Sequence, residues 1–196
     1  KGFVNGCLRS VQREFSDASF VPETTDIEAT YNHPHWFIEQ LQSDWPNDWQ
    51  TILAANNQQA KLTLRINTTL ISRSDYLALL QAESIEAMAH PHVETAVVLN
   101  QTANPVRLPG YLDGHFAVQD VSAQQAATLL DLAPGQRFLD ACAAPGGKTM
   151  QLASNDWKTV SVDNSKKRME RFDDNLKRTG LEAETVIADL MKWEPS

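Results

Sequence analysis

The stretch RFLDACAAPGGKTMQL, residues 137–152, constrains the fold of this chain more than any other. Phe138 and Leu139 continue an apolar run that Asp140 ends. Pro145-Gly146-Gly147 then interrupts the backbone, and residues 148–153 can turn helical. The pattern predicts a buried strand, a tight bend and the start of a helix. In open α/β sheets ligands collect in the crevice beyond the carboxyl end of such a strand. Glycines let backbone approach a ligand closely there. The sequence that follows supports this reading. Strands are predicted at residues 137–140, 159–163 and 184–188, alternating with helices at 148–153 and 166–179, and Gly180 sits where a helix C-cap glycine belongs. Such alternation implies a parallel sheet with right-handed crossovers.

Three nucleotide-like ligands compete for the bend. Gly147-Lys148-Thr149 meets the end of a P-loop, but its leading glycine is replaced by Cys142, and Pro145 removes an N–H that a phosphate cradle would use. The dinucleotide fingerprint G-x-G-x-x-G is absent. An S-adenosylmethionine pocket fits best. It needs one acid ending the first strand, a bend of small residues, and a second acid ending the next strand to accept ribose hydroxyls. Asp163 closes TVSVD 23 residues after Asp140, near the ~20-residue spacing at which a strand-end acid meets a ribose. Carboxylates suit a neutral polyol and an exocyclic amine and repel a triphosphate.

DACAAPGGKT also resembles motif I of the RNA (cytosine-5) methyltransferases, the Sun/Fmu family of bacterial ribosomal small-subunit enzymes. GHFAVQDVSAQQAA is similar to the strand and helix before that motif, VDNSKKRMERFDDNLKRTGL to the second strand and helix, and VIADLMKWEP to the third strand. KGFVNGCLRSVQREF resembles the last helix of the family's NusB-like domain, and HPHWFIEQL and LTLRINTT resemble its linker and pre-catalytic subdomain. The resemblance implies a partial Rossmann-like α/β methyltransferase sheet preceded by a small α+β subdomain and a helical linker. Its segments would be residues 1–15 (end of the NusB-like domain), 16–60 (acidic linker and helical hairpin), 61–120 (α+β subdomain) and 121–196 (first half of the methyltransferase domain). It further implies that Cys142, Ala143, Ala144, Pro145, Gly146, Gly147 and Lys148 line the cofactor, that Asp163 takes the ribose and that Asp189 lies near the adenine.

In that family a cysteine thiolate attacks C6 of cytosine, C5 takes the methyl group, and a second cysteine assists release. The resemblance places both cysteines beyond Ser196. Cys142 lies in the cofactor bend and is assigned no nucleophilic role, so the chain alone is expected to be inactive. The expected partner is small-subunit ribosomal RNA, with Arg65, Arg73 and Arg107 as candidate phosphate contacts. The first parallel strand would be central in a complete sheet. Left at an edge it would template pairing with another chain. A nucleotide-binding P-loop protein and a purely RNA- or protein-binding module are the alternatives.

Composition adds bounds. Net charge is −8, yet residues 14–60 alone carry eight carboxylates and no Lys or Arg, while residues 137–196 carry ten charges of each sign. The acidic block cannot be the main phosphate-binding face. Two distant cysteines give no disulfide framework, which suits a reducing cytoplasm. Upstream, Phe3, Val4, Cys7, Leu8, Val11 and Phe15 recur at helical spacing, and Cys7 is read as a small core residue. Residues 16–30 read as a polar linker containing Pro22. Helices follow from His33-Pro34 to about Gln42, with Trp36, Phe37 and Leu41 inward, and after Pro46, with Trp49, Ile52 and Leu53 inward. Residues 61–67, 96–99 and 114–119 read as strands, and 74–82 as a helix. His90-Pro91-His92 is a turn without a third metal ligand, and Ser122 is the expected N-cap of a helix reaching Asp131. The basic residues of 166–178, Arg168 and Arg178 among them, read as a solvated helix face.

Overall fold

A computed structural model describes residues 2–15, 24–130, 133, 135–154 and 157–194. Residues 16–23 of the expected 16–30 linker, with Pro22, together with Asp131 and Pro134, lie outside the described residues. The chain divides into two compact units, residues 1–59 and 60–196.

The first unit is helical. Helix α1 (Gly2–Glu14) carries the expected apolar stripe, but the stripe faces solvent: Phe3 is 84% exposed, and Cys7 is exposed rather than a core residue. Helix α2 (Ile27–Tyr31) forms inside what reads as linker. Asp26 caps it, accepting the Glu28 N–H at 2.9 Å, and Asn32 ends it at φ +55°, a conformation asparagine tolerates. α3 (His35–Asp44) and α4 (Trp49–Asn56) make the predicted hairpin. Its buried residues are Ile38 and Leu53, whereas Trp36 points out at 68% exposure. Tyr31 ties α2 to α4, its ring edge-on to Trp49 at 4.9 Å and its carbonyl accepting from Asn57 at 2.9 Å.

The second unit opens with an antiparallel sheet of order β2-β3-β1-β4: β1 (Thr63–Ile66), β2 (Ala87–Ala89), β3 (Ala96–Leu99) and β4 (Phe116–Val118). The short β2 was not among the predicted strands. Leu64 of β1 sits opposite Val97 of β3 and Val118 of β4. Strand alternation sends Leu64 and Ile66 into a core with Tyr76 and Leu80 of α5 (Arg73–Ala82), Val97, Leu99, Leu108 and Phe116. Burying each such side chain is worth about 1.5–3 kcal/mol. Thr63 and Arg65 take the opposite face and are buried as well, beneath α6 (Val121–Thr128). Asp120 rather than Ser122 caps α6: its carboxylate accepts the Ser122 N–H at 2.9 Å and the Ser122 hydroxyl at 2.7 Å. Those bonds hold the Asp120 carboxyl below its ordinary pKa.

A second sheet, parallel and of order β5-β6-β7, follows: β5 (Arg137–Asp140), β6 (Lys158–Asp163) and β7 (Glu184–Ile187), with α7 (Gly147–Ala153) and α8 (Lys166–Thr179) as crossovers. β6 is the central strand, and its residues are almost all buried, as a strand covered on both faces requires. β5 is an edge, with Leu139 43% exposed. Gly180 ends α8 in the left-handed conformation, as its position predicts. No described helix is long and apolar enough to cross a membrane.

Candidate cofactor site

Beyond the carboxyl ends of β5, β6 and β7 the chain forms a bend over residues 141–147, flanked by the acids that end the strands. Asp140 faces back into the protein, where its carboxylate accepts the Thr149 hydroxyl at 2.7 Å. The same Thr149 oxygen lies 3.1 Å from Ser161 Oγ. One carboxylate and two hydroxyls thus fasten the first turn of α7 to β5 and β6.

Backbone bonds tie the bend to β6 and close it on itself. The Ala143 N–H donates to the Val162 carbonyl at 3.1 Å, and the Gly146 N–H to the Ala143 carbonyl at 2.7 Å. Gly146 has φ +101°, and an added Cβ would lie 2.5 Å from Met150 Cε and 2.9 Å from Phe172 Cδ2. Both backbone conformation and crowding therefore demand glycine. The Ala144–Pro145 peptide is cis. Ala143 and Ala144 pack on Met169 and Phe172 of α8, while Cys142 and Lys148 are exposed.

Asp163 is the most constrained acid of the site, at 4% exposure. Its Oδ1 accepts the Ser165 N–H at 2.9 Å, and its Oδ2 accepts the Ala144 N–H at 3.2 Å. Arg168 Nη1 lies 3.4 Å from the same Oδ2, and Arg168 Nη2 donates to the Ala144 carbonyl. Asp163 and the bend are therefore one hydrogen-bonded unit. Asp189 follows β7, exposed, accepting the Met191 N–H at 3.1 Å. The Ala188 N–H donates to the Asp163 carbonyl at 3.2 Å, which brings the ends of β6 and β7 together.

Thus Cys142 through Lys148, Asp163 and Asp189 gather at one end of one sheet. The three arginines disperse. Arg65 is 5% exposed, its Nε donating to Gln119 Oε1 at 2.6 Å and its Nη2 to the Gly147 carbonyl at 3.4 Å. Burial and the neighbouring Arg178 push its pKa down to about 10. Arg73 Nη1 donates to the His90 and Val93 carbonyls at 3.1 and 3.0 Å. Arg107, in the 3-10 turn Pro105–Arg107, is exposed. Among the described residues no group of three or more His, Cys, Asp or Glu is placed to hold a metal ion.

Sequence reasoning missed the working parts of the supposed solvated face. Arg168 holds Asp163 and Ala144. Arg178 donates to the Tyr111 and Phe116 carbonyls at 2.8 and 3.1 Å and lies over the Tyr111 ring at 4.5 Å. One signal existed for Arg168: it follows Asp163 by five residues, just inside the helix that Ser165 caps.

The chain is 41% identical over 192 residues to ribosomal RNA small subunit methyltransferase B of Pseudomonas syringae pv. tomato, covering 96% of this chain and 43% of that protein. It is 40% identical over 191 residues to the Klebsiella pneumoniae protein of the same name, with 96% and 44% coverage. The chain thus spans under half the length of these relatives. The crystal structure of PH0851 superposes with TM-score 0.81 at 24% identity, covering 97% of this chain and 44% of that one, which shows a shared fold. Residues 33–107 match the ferredoxin-like domain described as Methyltr_RsmF/B-like, and residues 127–195 match the family described as 16S rRNA methyltransferase RsmB/F. Over residues 33–107 and 127–195 the chain thus matches the two domains of the RsmB/F methyltransferase family.

Proposed function

We propose that this chain supplies the S-adenosylmethionine site of an enzyme that methylates C5 of cytosine in small-subunit ribosomal RNA. The observation that carries this reading is Asp163, a buried carboxylate at the end of the central strand, bonded to the backbone of the bend itself. In this reading residues 142–148 lie along the methionine part of the cofactor, with Lys148 near its carboxylate. Asp163 accepts the ribose hydroxyls and Asp189 faces the adenine. Bound there, the cofactor supplies an electrophilic methyl group on a sulfonium. The chain's own part is to orient it. A phosphate cradle would lack the leading P-loop glycine, where Cys142 stands, and Pro145 has no N–H to offer it.

The relatives' name supports ribosomal RNA as substrate. Of the three candidate arginines, the exposed Arg107 is best placed for a phosphate, since Arg65 and Arg73 are engaged within the protein. Cys142 belongs to the cofactor bend and takes no nucleophilic part, so the chain alone binds cofactor without turnover. Two exposed unpaired cysteines suit work in a reducing cytoplasm. The β5 edge, with Leu139 half-exposed, is proposed to pair with a second copy; monodisperse monomer by light scattering refutes that pairing. The test of function is transfer of labelled methyl to small-subunit rRNA by a full-length protein containing this chain. Label in 5-methylcytosine is the expected result, and label in any other nucleoside, or none, contradicts the reading.

A further inference from the structure

Arg65 touches the bend only at the Gly147 carbonyl, and its surroundings are unusual. A guanidinium buried on both sides is costly unless paired, yet among the described residues no carboxylate lies within ion-pair distance of Arg65. A packing role would be served as well by an aliphatic side chain. What the guanidinium adds is direction: it donates from β1 both to Gln119 and to the Gly147 carbonyl, at the first residue of α7.

The contact is part of a connected set. Gln119 Nε2 donates to the Ala123 carbonyl and to Gln151 Oε1, both at 3.2 Å. Gln151 Nε2 donates to the Gln124 carbonyl at 2.7 Å, and Gln124 Nε2 returns to the Gln119 and Leu64 carbonyls at 3.0 and 3.4 Å. Three buried glutamines and one arginine therefore run from β1 through α6 to α7. Carbonyls of the bend are gripped from two sides. Arg168 and Asn175 of α8 hold those of Ala144 and Pro145, and Arg65 of the antiparallel sheet holds that of Gly147.

We propose that the antiparallel sheet is part of the cofactor site, with Arg65 as a positioning residue that sets the bend through Gly147 and Gln119. Ligand binding at the bend and order in β1 and β4 are then coupled in both directions. The proposal rests on the bend being an S-adenosylmethionine site.

The test is hydrogen exchange on the unaltered 196-residue chain with and without S-adenosylhomocysteine, together with calorimetry on Arg65→Met and Arg65→Lys. Ligand is expected to slow exchange in 143–152 and also in 63–66 and 116–119. Both variants are expected to bind about tenfold more weakly, the worth of one charged hydrogen bond, because a lysine ammonium cannot reproduce the fork. A merely structural arginine would leave exchange in β1 and β4 unchanged by ligand. Protection confined to the bend, or variants that bind like the parent, overturns the proposal while leaving the cofactor reading intact. Failure of the parent chain to bind the ligand overturns both. Should either variant fail to fold, the exchange measurement on the parent chain decides.

Discussion

Gly146→Ala is the substitution whose cost the structure sets most tightly. Two terms add. Holding alanine in left-handed backbone costs roughly 1–2 kcal/mol, and Gly146 sits at φ +101°. The new methyl would also lie 2.5 Å from Met150 Cε and 2.9 Å from Phe172 Cδ2. Met150 can swing its end aside, but Phe172 is fully buried against α8's neighbours, so overpacking adds about 1–3 kcal/mol. The total is about 2–5 kcal/mol, a large fraction of the roughly 5–15 kcal/mol that stabilises an ordinary domain. Two control glycines separate the terms. Gly135 has φ +81° with nothing within 4 Å of an added Cβ, so Gly135→Ala should show the backbone term alone. Gly147 starts α7 without a positive φ, and its Cβ would meet only Gln119 at 4.0 Å, so Gly147→Ala should be neutral or gain up to about 1 kcal/mol from helix propensity. Urea unfolding followed by far-ultraviolet circular dichroism measures all three. If Gly146→Ala costs no more than Gly135→Ala, the bend is not packed as described.

Other outcomes follow from single contacts. Thr149→Val removes the hydroxyl that joins Asp140 and Ser161 and should cost about 1–3 kcal/mol in the same urea experiment. Asp120→Ala removes the α6 cap and should cost about 1 kcal/mol at pH 7. Because the folded Asp120 carboxyl has a lowered pKa, its contribution is complete above the ordinary carboxylate pKa of 3.8 and fades as pH falls through the folded value, so mutant and parent should converge in acid denaturation. Cys7 and Cys142 are both exposed, so both should react with iodoacetamide, and S-adenosylhomocysteine should protect Cys142 alone; mass spectrometry of the alkylated peptides distinguishes them.

Regular elements around the site were legible because period and punctuation agree there. Asp140, Pro145-Gly146-Gly147, Asp163 and Gly180 each mark an element's end, and strands and helices fall within a residue or two of expectation. Where expectation failed, local signals were weak or tertiary contacts decided. Helix α2 has only five residues, and β2 only three, too short for a period to show. Trp36 points outward because Ile38 occupies the inward position of α3. Arg65 looked like one cation on an alternating strand, but both faces of β1 are covered, so alternation says nothing about exposure. The buried glutamines 119, 124 and 151 carry no sequence signal at all, since polar residues read as surface until the structure shows what satisfies them.

The bend after β5 is the centre of the account, and calorimetric titration of the chain with S-adenosylhomocysteine, against ATP with magnesium, tests it most directly. Saturable binding of S-adenosylhomocysteine and none of ATP is the predicted result, with Asp163→Asn weakening the former by about ten- to a hundredfold through loss of a charged hydrogen bond. Tight binding of ATP, or an Asp163→Asn chain that takes S-adenosylhomocysteine as well as the parent, would contradict it.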